Sequence, residues 1–190
     1  MKVLPKMFYE RDPETVACGL LGKKLVRIVN GTILEGIIVE TEAYYGPNDP
    51  ASRAFRGMKN YNRLMWDVPG KAFIYNVHKY WMFNVVAHEP KEIGAVLIRA
   101  LEPLKGIETM SANRGVTDIY ILVSGPGRLT KALKIDKSLN NVRVTSKKSG
   151  IFIANSHGRL EIETSRRIGV MKDLDKDLRF FIKGNKFVSK

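Results

Sequence analysis

The most strand-like pattern in the chain runs through Ile33–Val39, which is rich in β-branched residues. Turn-forming pairs bound it, with Asn30-Gly31 before it and Gly46-Pro47 after it. The pattern predicts a central strand that continues towards Tyr44. We take this stretch as the organising element of the fold.

Alternation along this strand brings two carboxylates and an aromatic ring to one face. That face is predicted to carry Ile38, Glu40, Glu42 and Tyr44, and the opposite face Ile37, Val39, Thr41 and Ala43. One interpretation is an edge strand whose polar face meets solvent. The alternative is a strand that packs on a core through its apolar face and presents Glu42 and Tyr44 to a cleft.

Short periodic segments and turn signals predict the other elements, in one domain spanning 1–190. Residues 10–22 predict a helix with Asp12 as N-cap and Pro13 in its first turn, and residues 124–134 predict a turn and a short helix. Strands are predicted at Lys24–Val29, Phe73–Val77, Trp81–Val86, Ile93–Leu101 and Arg179–Lys183, and a hairpin joins Ile151–Ala154 to Arg159–Glu163.

Basic residues collect at three places outside the predicted strands. The irregular stretch 46–66 carries Arg53 beside other basic and aromatic residues, and long loops of this kind are often functional. The turn His78-Lys79-Tyr80 is either a solvated tip or a probe that enters DNA. The glycine-rich start of the helix in 124–134 offers N–H groups to a phosphate, with Arg128 and Lys131 facing outward.

Charge changes the picture most. The 190 residues carry a net charge of +13, and residues 128–190 contain 16 Lys or Arg against 6 Asp or Glu. A positive net charge of this size is typical of proteins that bind a polyanion, above all nucleic acid. A lysine-rich soluble surface would give the same net charge.

Other chemistry is largely excluded. There is no apolar run of membrane-spanning length and no signal-like start, so we expect a cytoplasmic (nucleoid-associated) or nuclear protein that is not secreted. A single cysteine, three scattered histidines and no Gly-x-Ser-x-Gly motif argue against a disulfide, a metal, a cofactor or a serine nucleophile. What remains is carboxylate acid–base chemistry beside aromatic rings, which suits cleavage of an N-glycosidic bond in DNA.

The chain resembles the alkyladenine (3-methyladenine) DNA glycosylases nearly from end to end. The resemblance rests on motifs in order: Asp12-Pro13, Leu20-Leu21-Gly22-Lys23, Ile38 to Tyr44, Gly46-Pro47 with Asp49 to Ser52, Asn84, Leu97 to Pro103, Ser124 to Leu129, Arg167-Ile168-Gly169 and Arg179 to Gly184. It implies an α+β fold with a curved, mostly antiparallel β-sheet core and flanking short helices. It also implies a monomer that acts on damaged duplex DNA.

Roles follow from the resemblance by position. Glu42 matches the general base that activates water, and Tyr44 matches one wall of the base pocket, with Tyr75 as the opposing wall. Asn84 matches a residue that discourages normal guanine. Arg99, which stands in an apolar strand, matches a contact to DNA near the flipped nucleotide. Glu40 is interpreted as structural.

Two departures from the family pattern stand out. Arg53 occupies the position of a usual histidine, and its charge would repel a cationic base, which favours either neutral lesions such as hypoxanthine or a different pose of the base. The segment between Gly70 and Asn84 is one residue shorter, so the residue that fills the gap left by the flipped nucleotide is Val77, His78 or Tyr80.

The leading hypothesis is therefore a monofunctional glycosylase of base-excision repair that uses water, because no lysine shares the face of Glu42. The second is a non-catalytic nucleic-acid-binding protein of the same fold. A hydrolase of free nucleosides is the third, disfavoured by the basic C-terminal third.

Overall fold

The computed structural model describes residues 1–156, 158 and 160–190. Within them, eight strands form one curled antiparallel sheet, which confirms the predicted α+β class. The strands are β1 (Lys24–Val29), β2 (Thr32–Tyr44), β3 (Ala72–Val77), β4 (Tyr80–Val86), β5 (Ala95–Lys105), β6 (Ile151–Ala154), β7 (Ile162–Ser165) and β8 (Arg179–Ile182). The order is β3-β4-β5-β2-β1-β6, with β8 paired to both β2 and β7.

Short helices flank the sheet. In α1 the Asp12 carboxylate accepts hydrogen bonds from the N–H groups of Glu14 and Thr15, and Pro13 stands in the first turn, as predicted. The helices described are α1 (Pro13–Leu20), α2 (Ile107–Arg114), α3 (Ile119–Leu122) and α4 (Pro126–Ala132), with 3-10 turns at Lys6–Phe8, Arg63–Trp66, Lys137–Leu139 and Lys147–Ser149.

The two faces of the sheet bury different things. On one face the main hydrophobic core takes side chains from β2 to β5, such as Ala43, Phe83 and Ile98, against α1 and α4. On the other face the stretch 46–66 covers a smaller cluster that includes Phe73, Val86 and Ala95. The rest of this second face carries the carboxylates.

Register shifts between β2 and β5 modify the predicted alternation. Ile38 lies opposite Leu101, whereas Glu40 lies opposite Ala100 and Thr41 opposite Ile98. Val39 is therefore an extra residue in β2, and Arg99 is an extra residue in β5. The prediction that Ile38 shares a face with Glu40 is wrong, because the extra residue turns Ile38 into the main core.

The hairpin predicted from 151 to 163 is also wrong. β6 pairs with β1, where Ile153 lies opposite Leu25, and β7 pairs with β8. All four residues of β6 are buried, so this short apolar run is a sheet strand covered on both faces. His157 and Arg159, which belonged to the predicted hairpin, lie outside the described residues.

Two tight turns set the remaining hairpins. Asn30 and Gly31 both have positive φ, 48° and 78°, as the two-residue turn between β1 and β2 requires. The β3–β4 turn is shorter than predicted, since Tyr80 already belongs to β4 and pairs with Val77. In the part of the chain that is described, no helix has the length and apolar character needed to span a membrane.

Candidate active site

A single row of residues across the sheet brings the predicted site together. Glu42 lies opposite Leu97, and Leu97 lies opposite Asn84 on its other side. Directly opposed residues of antiparallel strands project to the same face, so Glu42 and Asn84 face one side of the sheet across a single strand. Tyr44 and Tyr75, two residues along their own strands from this row, project to the same side.

Glu42 is fully buried and almost completely hydrogen-bonded. Its Oε1 accepts from the N–H of Ile168 at 2.8 Å. Its Oε2 accepts from the Tyr44 hydroxyl at 2.8 Å and from Arg99 Nη1 at 3.2 Å. A carboxylate has about four acceptor positions. Among the described residues, three are filled, so one position on Oε1 is left for a further donor.

Burial raises the pKa of the Glu42 carboxyl above its ordinary value. Arg99 and the hydrogen bonds from Ile168 and Tyr44 oppose this rise without cancelling it. Glu42 is therefore more basic than a glutamate in water. A more basic carboxylate accepts a proton more readily.

Glu40, two residues away, has the opposite balance. Burial would raise its pKa, but Arg99 and hydrogen bonds from Arg179 and Ser189 outweigh burial and lower it. Its Oε1 accepts from Arg99 Nε at 2.9 Å and from Arg179 Nε at 2.7 Å. Glu40 is held as a buried anion between two arginines, which agrees with the structural role expected for it.

Arg99 lies under the site. Its guanidinium is buried and bridges Glu40 and Glu42, the two carboxylates of β2. The bulge in β5 places this side chain between them. The family resemblance matched Arg99 to a contact with DNA, whereas the structure shows its guanidinium paired with both carboxylates.

Arg167 packs on the ring of Tyr44, with its Cζ 4.5 Å from the ring centroid. Asp49 holds it by a two-pronged ion pair, with both N–O distances 2.7 Å, and Asp173 is a further partner. Arg167 Nη1 also donates to the carbonyl of Ala43 at 2.9 Å. One side of Tyr44 is therefore fixed by a buried arginine.

Tyr75 has a different neighbour. The exposed Arg53 extends over its ring, with Cζ 4.8 Å from the centroid, and Phe73 packs at 5.1 Å. Burial raises the pKa of Tyr75, so its hydroxyl stays protonated. Asn84 is buried, and its Nδ2 donates to the carbonyls of Phe73 and Met82 at 3.2 and 3.3 Å.

The predicted DNA-contacting residues of the hairpin and of α4 lie next to each other. A side chain at Gly127 would approach Tyr80 to within 2.8 Å, so the hairpin rests against the first turn of α4. His78 and Lys79 are exposed at the tip, and His78 has a positive φ of 52°. The exposed cations carried by the hairpin and by α4 include Lys79, Arg128 and Lys131.

The loop 53–63 forms a second exposed basic surface, and it is built on a buried asparagine. Asn62 Oδ1 accepts from the N–H of Lys59 at 2.6 Å, and its Nδ2 donates to the carbonyls of Arg53 and Gly57. These bonds fix the loop shape while its apolar and basic side chains stay outside. The exposed members are Arg53, Phe55, Arg56, Met58, Lys59, Tyr61 and Arg63.

No described residues form a group of three or more His, Cys, Asp or Glu suited to a metal ion. Cys18 is half-buried in α1, and burial raises the pKa of its thiol. That shift opposes a nucleophilic role. The chemistry available at the site is that of carboxylates, arginines and tyrosines.

Sequence reasoning missed several residues that complete the site. Asp49 and Arg167 stood in the family motifs without an assigned role, and the N–H of Ile168 carries no side-chain signal at all. Ser189 and Arg179 reach Glu40 from the C-terminal part of the chain. Their separation from Glu40 by more than 130 residues hides them from any local pattern.

Comparison with known proteins agrees with this geometry. The family described as methylpurine-DNA glycosylase (MPG) matches residues 7–186. A protein of Aeropyrum pernix is 39% identical over 100% of this chain and 94% of its own length, and one of Carboxydothermus hydrogenoformans is 44% identical over 99% of each. Both bear the name "Putative 3-methyladenine DNA glycosylase". The chain belongs to the methylpurine-DNA glycosylase family.

Proposed function

We propose that this protein excises damaged purines from duplex DNA by hydrolysing the N-glycosidic bond, as a monofunctional, monomeric enzyme of one domain. The observation that carries the proposal is Glu42: a fully buried carboxylate with a raised pKa and one open acceptor position. Such a group suits a general base for water. It lies on the face of the sheet that also carries Tyr44 and Tyr75.

The target base must leave the duplex to reach a buried carboxylate. Tyr44 and Tyr75 supply aromatic surfaces for the extruded base, and stacking on such rings contributes about 1–3 kcal/mol per base. Asn84 lies in the same row as Glu42, and we assign it to the edge of the base, where it crowds an unmodified guanine. Its two amide hydrogen bonds to the backbone keep it from turning aside.

Water is the nucleophile in this scheme. Glu42 accepts a proton from the water through the open position on Oε1, while its negative charge offsets the positive charge that develops on the sugar. Arg99 holds the carboxylate in place from below. Because the guanidinium of Arg99 already pairs with Glu40 and Glu42, we assign Arg99 to positioning Glu42. A contact between Arg99 and DNA is secondary in this proposal.

A lyase reaction needs an amine nucleophile, and the charged partners of Glu42 are poor ones. Among the described residues, no lysine hydrogen-bonds to Glu40, Glu42 or Tyr44, and an arginine stays protonated. This supports hydrolysis without strand cleavage. A borohydride-trapped covalent adduct with DNA would contradict it.

DNA binding is assigned to the basic end formed by the β3–β4 hairpin and α4. In this proposal, His78, Lys79 and Tyr80 enter the DNA duplex near the lesion. Val77 lies on the same face as Tyr75 and remains an alternative for filling the gap. The loop 53–63 adds cations beside Tyr75. The basic C-terminal third contributes less than its charge suggests, because several of its cations are paired within the protein: Arg166, Arg167, Lys176, Arg179 and Lys183.

The test is release of free base from duplex oligonucleotides containing 3-methyladenine or hypoxanthine, with Glu42→Gln as the decisive variant. The change keeps the shape and removes the base, so we expect release to fall by at least about a hundredfold while DNA binding persists. Glu35→Gln is the matched control. Glu35 is a buried glutamate on the same strand, paired with Lys24. We expect the rate of release to be unchanged in this control variant.

A second candidate function is binding without catalysis. Arg53 favours it, because its guanidinium lies over the face of Tyr75 that a base would use. Salt-sensitive binding of duplex DNA with no base release on either substrate would select this function. Release by Glu42→Gln at the wild-type rate would remove Glu42 from the mechanism.

A further inference from the structure

We propose that Ser189 is a positioning residue for catalysis, which acts on Glu42 through Glu40 and Arg99. The proposal rests on the function above, in which Glu42 is the base. Ser189 is 8% exposed and lies far from Glu42 in sequence. Among the described residues, its hydrogen bonds go to Glu40, Arg99 and Arg179 and not to Glu42, Tyr44 or Tyr75.

Ser189 completes the hydrogen bonding of Glu40. Its N–H donates to Oε2 at 2.8 Å and its hydroxyl donates to Oε1 at 2.8 Å. Its hydroxyl also accepts from Arg99 Nη2 at 3.4 Å, and its carbonyl accepts from Arg179 Nη2 at 3.1 Å. One residue thus contacts Glu40 and both arginines that are ion-paired with it.

These contacts decide how Arg99 is shared. The guanidinium lies 2.9 Å from Glu40 and 3.2 Å from Glu42, so its contact with the proposed base is the longer of the two. Among the described residues, Ser189 supplies the only donor to Oε2 of Glu40. Without the donors of Ser189, a buried anion would be left short of hydrogen bonds and would draw Arg99 away from Glu42.

The segment that carries Ser189 is fixed by contacts of its own. Phe187 packs on Tyr120 with ring centroids 5.1 Å apart, and its N–H donates to Asn185 Oδ1 at 2.9 Å. Asn185 Nδ2 in turn donates to Glu102 at 2.8 Å. These contacts hold Asn185 and Phe187 in place and so position Ser189 beside Glu40.

The consequence concerns the protonation of Glu42. The charged and titratable groups around it are Glu40 and Tyr44 on β2, Arg99 on β5, Tyr75 on β3 and, through Glu40, Arg179 on β8. Arg99 is the strongest influence that favours the ionised form. Weakening its contact makes Glu42 protonate at higher pH, so loss of Ser189 donors reduces activity most at low pH.

The experiment measures single-turnover base release across pH for a graded series at this position. Ser189→Ala removes the hydroxyl, Ser189→Pro also removes the N–H, and Ser189→Thr keeps both donors. We expect Ser189→Ala to be roughly five- to tenfold slower than wild type near pH 6 and much closer to it near pH 8. Ser189→Pro should show a larger effect, and Ser189→Thr should restore the wild-type profile.

Ser146→Ala is the control, because it removes a hydroxyl that caps the turn Lys147–Ser149, outside the network around Glu40. Circular dichroism at both pH values measures the fraction of folded enzyme, and the rates are compared per folded enzyme, so the ratio stays informative if a variant is destabilised. A Ser189→Ala ratio equal to that of wild type overturns the proposal. Absence of release by the wild type overturns the proposed function and this inference together.

Discussion

The guanidinium of Arg167 packs over the ring of Tyr44, with its Cζ 4.5 Å from the ring centroid. The next residue, Ile168, donates its N–H to Glu42. The ion pairs of Arg167 with Asp49 and Asp173 therefore help to fix both Tyr44 and the donor to Glu42. The segment around Arg167 therefore packs against one side of the site.

Arg167→Met should destabilise the protein strongly, because it leaves Asp49 as a buried, unpaired anion. Breaking a buried ion pair in this way costs about 3–5 kcal/mol of the free energy of unfolding. Denaturant unfolding measures it. Arg166→Met is the neighbouring control, since Arg166 pairs with Asp175 and Asp177 at the surface, and it should change stability much less. Equal losses for the two variants would contradict the assigned importance of Asp49.

Base release should show an acid limb at higher pH than an ordinary glutamate would give. Burial raises the pKa of Glu42, and a base acts only when ionised, so the rate falls as pH drops through that raised value. Glu40 has a lowered pKa and stays ionised in the same range. Arg99→Met removes the main influence opposing burial and should move the limb to still higher pH.

A pH–rate profile under single-turnover conditions tests this directly. A limb at or below the ordinary glutamate pKa, or one that moves down in Arg99→Met, would exclude Glu42 as the titrating base. The test depends on the direction in which the acid limb moves in Arg99→Met, and less on the size of that movement. Loss of fold by Arg99→Met should be checked by thermal unfolding at each pH.

Arg53 should disfavour cationic bases relative to neutral ones, since it already places a positive charge over Tyr75. Arg53→His should therefore raise the rate on 3-methyladenine relative to hypoxanthine by about fivefold, the size of one cation–π contact. Arg56→His, on the same loop and also exposed, is the matched control. Unchanged relative rates in Arg53→His would show that Arg53 does not set the preference.

Binding of duplex DNA should depend on the cations beside the hairpin. Lys79→Ala and Arg128→Ala should each weaken binding and reduce the slope of log affinity against log salt by about 1. Lys183→Ala should leave the slope unchanged, because Lys183 is already paired with Glu161. A salt slope unaffected by the first two changes would place the DNA on another surface.

Local sequence signals predicted the local parts of this structure well. The cap at Asp12, the turn at Asn30-Gly31 and the strands that carry Tyr75 and Asn84 all follow from residue pattern. Glu42 and Tyr44 were predicted to share a face, and they do, because no extra residue separates them. Ile38 was misplaced because a bulge leaves no mark in the sequence.

The rest depended on contacts over long separations. The sequence pattern of β6 and β7 is typical of the two strands of a hairpin. In the structure they do not pair with each other: β6 pairs with β1, and β7 pairs with β8. The contacts of the buried arginines also join residues that are far apart in the sequence, so no local pattern predicts them. Arg167 reads as one basic residue among many in the C-terminal third, and only the fold shows that it meets Asp49 at 2.7 Å.

The paired bulges at Val39 and Arg99 have a consequence for how this site can change over time. Between Gly36 and Glu42 each strand carries one extra residue, so the pairing of Gly36 with Pro103 and that of Glu42 with Leu97 stay in step on either side. A loss of one residue from either strand alone would break that agreement and turn every later side chain to the opposite face. A single insertion or deletion in this part of β2 or β5 would therefore disrupt the site. Only an insertion or deletion of one residue in both strands together would keep the register.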